Sequence, residues 1–78
     1  MNTLKAVVKP CLRTLCLTHD VSLLALARAS GRSCLIVWDM LLGYPMTGED
    51  AHMVLYGFNS LSGTKYKLED IRVEIVPR

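Results

Sequence analysis

Residues 21–43 read VSLLALARASGRSCLIVWDMLLG. Ser22 stands where a hydroxyl can cap a helix, Leu26 and Ala27 give that helix an inward seam, and Gly31 falls where the chain must turn tightly. Ser33 repeats the capping signal, and the apolar run behind it ends at Gly43. The stretch therefore predicts helix, short glycine turn, helix, with a capping hydroxyl ahead of each helix and a glycine after it.

Upstream, Pro10 fits the first turn of a helix, where a missing N–H removes no bond. Residues 11–19 then carry Leu12, Leu15, Cys16 and His19 at i, i+3, i+4 and i+7, a one-sided stripe that predicts a first helix. His19 and Asp20 end it, with His19 expected as a partly exposed helix-end residue. Downstream, Tyr44, Pro45 and Met46 make an irregular connection. Thr47 with Asp50 three residues on resembles a capping box, and the pair Glu49–Asp50 suits the positive end of a helix dipole. Ala51, Val54, Leu55, Phe58 and Leu61 keep the helical period to about residue 61. A turn follows at residues 62–64, and Leu68 and Ile71 frame a short last helical turn.

Both ends of the chain read as extended. Residues 4–8 alternate in part, and in the tail Ile71, Val73 and Ile75 oppose Arg72 and Glu74. A lone strand leaves its backbone groups unsatisfied, so the two segments are expected to pair as a short, antiparallel β ribbon against the helices. The ten inward positions Leu12, Leu15, Leu26, Ala27, Val37, Met40, Val54, Leu55, Phe58 and Ile71 are expected to form one core.

The central stretch resembles the lambda-repressor-like helix-turn-helix family (Cro/repressor, or Xre type). Its pattern of Leu-Ala, three residues, Gly, one residue, Ser, then an apolar residue four positions on is met by Leu26, Ala27, Gly31, Ser33 and Val37. Met40 continues the seam, Gly43 matches the glycine after the recognition helix, and Phe58-Asn59 falls where the family has Leu-Asn. The resemblance covers roughly residues 12–71. It implies a mainly α domain of four to five helices occupying residues 1–78, with the terminal ribbon added. Its implied activity is DNA-binding transcription regulation as a homodimer.

A DNA reader of this type places the second helix of the motif in the major groove. The residues this implies as DNA-binding are Ser22, Arg28, Arg32, Ser33, Cys34, Leu35, Trp38 and Asp39. Arg28 and Arg32 flank the turn and suit phosphates, as do free N–H groups near Ser22 and Ser33. The third helix departs from the usual chemistry. Its outward positions, taken as Cys34, Leu35, Trp38, Asp39 and Leu41, hold no cation and no amide, and Leu23 stands where the family commonly has Gln. Burying a large apolar side chain contributes about 1.5–3 kcal/mol, so a cluster of them in water invites association. The alternative reading is therefore an interaction module, binding itself or another protein through Leu23, Leu35, Trp38 and Leu41, or through Val73 and Ile75 on the ribbon.

Composition bounds both readings. The 78 residues are 51% hydrophobic, which excludes disorder and exceeds what a small monomer readily hides. Nine Lys and Arg against seven Asp and Glu give a net charge of +2, which permits nucleic-acid binding without demanding it. Three cysteines without framework spacing suggest reduced thiols in a cytoplasmic protein. Cys11, Cys16 and His19 lack a fourth ligand at zinc spacing, Cys34 and His52 make no convincing nucleophile pair, and no phosphate-loop motif occurs. No catalysis, metal, cofactor, small-molecule substrate or membrane span is expected.

Overall fold

The computed structural model describes residues 9–77, and it is mainly helical. Four α-helices, α1 (Leu12–His19), α2 (Leu23–Ser30), α3 (Cys34–Leu42) and α4 (Gly48–Ser62), are followed by a 3-10 turn at Leu68–Asp70. Local chemistry sets their limits. The Ser22 hydroxyl accepts from the Ala25 N–H at 3.1 Å, Ser33 from Ile36 at 3.3 Å, and Thr47 from Asp50 at 3.2 Å. Each closes one of the first-turn amides that a helix leaves open. At the other ends, Gly31 (φ 69°), Gly43 and Gly63 take the left-handed conformation, and Asp20 does the same after α1. Aspartate tolerates that region better than most side chains. Helix α1 begins two residues after Pro10, with Cys11 as its cap residue, so the proline precedes the helix and does not occupy its first turn.

All ten expected core positions are buried, joined by Cys16, Leu41, Met46 and Ala51 in one cluster. The most extensive packing is α4 against α2, and α3 is held by both α1 and α2. Gly57 makes the α2–α4 approach possible. A Cβ there would lie 2.7 Å from the Ser30 nitrogen and 2.9 Å from the Ala29 carbonyl carbon, inside any van der Waals contact. His19, half-buried, sets its ring edge-on to Phe58 at 5.7 Å between centroids. Asn59 fastens the chain after α4: its Nδ2 donates to the Tyr66 carbonyl, while its Oδ1 accepts from the Tyr66 N–H and the Thr64 hydroxyl.

The β ribbon is not supported. Among the described residues there is no strand, only an isolated parallel bridge between Met46 and Ile75. Residues 4–8, the expected partner, lie outside the described residues. The tail instead lies along the α3–α4 connection, with the Met46 N–H donating to the Glu74 carbonyl and the Val76 N–H to the Met46 carbonyl. Alternation predicted a strand because it describes which side chains face inward, and says nothing about whether a neighbouring ladder exists. Even the alternation decays along the tail: Ile71 is buried, Val73 is half-buried and Ile75 is exposed. Leu61, the last member of the α4 stripe, is also exposed.

Candidate nucleic-acid interface

Helix α3 consists of CLIVWDMLL, in which every residue but Asp39 is apolar. Such a helix has no polar face to mark its phase, and packing decides it. Val37, Met40 and Leu41, at i, i+3 and i+4, are the buried side. The opposite side carries Leu35 (76% exposed), Trp38 (46%) and Leu42 (42%), at i, i+3 and i+7. Leu41, expected to face outward, is therefore core, and Leu42 takes its place on the surface. Leu23, also expected outward, is half-buried against the core from the first turn of α2. Cys34 is exposed at the start of α3, and Asp39 is half-buried on its flank.

The polar candidates separate into three groups. Ser22 and Ser33 are exposed, and their hydroxyls are occupied as caps. Arg28, in the last turn of α2, is exposed and makes no ion pair among the described residues. Arg32 is different. Its Nε donates to Asp50 Oδ1 at 2.8 Å, its Nη1 donates to the Gly31 carbonyl, and Glu49 lies 3.8 Å from Nη2. The guanidinium thus ties the α2–α3 turn to the first turn of α4. Asp50, read from sequence as half of a capping box, directs its carboxylate to this arginine.

A second cationic element was not visible in the sequence because it joins distant segments. A groove of about 460 Å³ is lined by Cys11, Arg13, Leu42, Arg72 and the carboxylate-bearing Glu74, among others, at the C-terminal end of α3. Arg13 and Arg72 are both exposed and make no ion pair among the described residues. The Thr14 hydroxyl and backbone, and Arg72 beside them, hold the Cys11 thiol below its ordinary range. Arg13 and Arg72 thus lie with Leu42 at the far end of α3, while Arg28 precedes in sequence the turn that leads into it.

Elsewhere the chemistry is sparse. Cys11, Cys16 and Cys34 are all free thiols, and burial pushes the Cys16 thiol up to about 11. Among the described residues, no cluster of three or more His, Cys, Asp or Glu is arranged to hold a metal ion. No helix among them is long and apolar enough to cross a membrane. Comparison with protein-family models, with curated proteins and with solved structures returns no significant match.

Proposed function

We propose that the chain is a small lambda-repressor-like helix-turn-helix transcription regulator of Cro/repressor (Xre) type, acting in the cytoplasm as a homodimer that grips DNA through α3. The observation that carries this reading is the posture of α3. It is the second helix of a helix–glycine turn–helix unit, anchored by Val37, Met40 and Leu41, with Cys34, Leu35 and Trp38 outward. A helix is about 10–12 Å across with its side chains and the major groove about 12 Å wide, so a helix supported along one side can enter it. Arg28, Arg13 and Arg72 supply charge for the phosphates, as can Arg32 from its place beside Asp50. The chain needs neither a cofactor nor catalytic chemistry for this role.

Fluorescence anisotropy with a labelled duplex across a salt series tests the proposal. Affinity should fall linearly on a log–log plot, and Arg28→Ala should flatten the slope by about one unit, the share of one phosphate contact. No binding to any duplex at low salt would overturn it.

A second reading, the interaction module, draws on the same stripe. Leu35, Trp38 and Leu42 present a continuous apolar line on one helix face, and Trp is a frequent centre of protein interfaces. If α3 binds a second copy, Leu35→Ser with Trp38→Ala should yield monomers in sedimentation. A dimer that survives both changes is held elsewhere, with the exposed Ile75 and Val76 of the tail as the next candidates.

A further inference from the structure

We infer that the exposed stripe of α3, with Leu35 foremost, selects thymine-bearing steps by packing against their methyl groups in the major groove; this rests on the DNA-binding reading above. The major-groove edge of a base pair offers hydrogen-bond donors, acceptors and one apolar feature, the C5 methyl of thymine. Reading the donors and acceptors usually requires Arg, Lys, Asn, Gln, Ser or Thr. None of these occurs in α3. Its three most outward large side chains are Leu35, Trp38 and Leu42, so the feature they can complement is the methyl group. Asp39 and the Trp38 indole N–H add one acceptor and one donor, and the carboxylate suits an exocyclic amino group on adenine or cytosine.

Dimensions and charge agree with a duplex as the occupant. At about 1.5 Å per residue, the stripe from Leu35 to Leu42 runs about 10 Å, roughly three base-pair steps. Two exposed guanidinium groups, of Arg13 and Arg72, stand with Glu74 in the groove at Leu42, and the exposed Arg28 precedes in sequence the turn into α3. The two exposed guanidinium groups outnumber the one carboxylate in that groove, a balance that complements a phosphate backbone.

The test compares binding of the chain to four labelled duplexes at one low salt concentration. These are alternating A·T, the same sequence with deoxyuridine replacing thymidine, alternating G·C, and the same with 5-methylcytosine. The exchanges remove or add a methyl group in the major groove and leave the base-pairing pattern intact. Deoxyuridine should weaken binding about fourfold for each methyl group taken out of the interface, the worth of one buried methyl, and 5-methylcytosine should strengthen it by a similar factor. Leu35 is far out in solvent, so Leu35→Ala should fold normally and should erase most of the thymidine–deoxyuridine difference. Equal affinity for the thymidine and deoxyuridine duplexes overturns the inference while leaving DNA binding in place. A difference that persists undiminished in Leu35→Ala overturns the role given to that residue. Failure to bind any of the four duplexes removes the DNA reading and this inference together.

Discussion

Phe58 and Leu26 are fully buried at the contact between α4 and α2, and each was legible from helical spacing alone. Truncation removes transfer free energy and leaves a cavity, so Phe58→Ala should lower stability by about 3–5 kcal/mol and Leu26→Ala by about 2–5 kcal/mol in urea unfolding. Gly57 was not legible, because a lone glycine within a helical pattern announces either weakness or a close approach without saying which. In an open helix Gly→Ala gains up to about 1 kcal/mol. Here the new Cβ would meet the backbone of Ala29 and Ser30, so Gly57→Ala should destabilise, and a gain would show that α2 can shift away. Cys16 makes a pH-dependent contribution. Its thiol is raised to about 11 from an ordinary value of 9.0, so the folded state favours the neutral form. That contribution is whole below pH 9.0 and is lost as pH rises through about 11. Urea midpoints across this window should fall less in Cys16→Ala than in the parent.

At the scale of elements, serine, threonine and glycine punctuation located α2, α3 and α4 because each cap is a local bond between near neighbours. Two features escaped for the opposite reason. The tail's fate depended on Met46, nearly thirty positions away along the chain, and the phase of α3 depended on which apolar residues its neighbours could cover. With eight apolar residues around the helix, sequence alone placed Leu41 outward where packing places Leu42. The Arg32–Asp50 pair is another product of tertiary structure, joining the turn before α3 to the start of α4. Both partners are about one-quarter exposed, so a double-mutant cycle with Arg32→Ala and Asp50→Ala should give a coupling of no more than about 1 kcal/mol. A coupling of zero would mean that solvent screens the pair entirely.

For the molecule as a whole, the resemblance to a DNA reader and the apolar surface of α3 pull in different directions, one toward a duplex and the other toward a protein partner. The sequence spreads Arg13, Arg28 and Arg72 over three segments. Folding brings Arg13 and Arg72 together beside Glu74 in the groove at Leu42, a grouping that composition and a net charge of +2 could not reveal. Trp38 is the chain's single tryptophan and sits in the middle of the stripe, so its emission reports directly on what covers α3. The decisive measurement is a titration of that emission with an alternating A·T duplex at low salt, at a protein concentration where sedimentation defines the oligomeric state. The DNA reading predicts a Trp38 that emits as a solvent-exposed indole before duplex is added, then a saturable change in its emission that added salt reverses. An indole already shielded in a dimer, and unmoved by duplex at any salt, would contradict it and leave α3 as a protein-binding face.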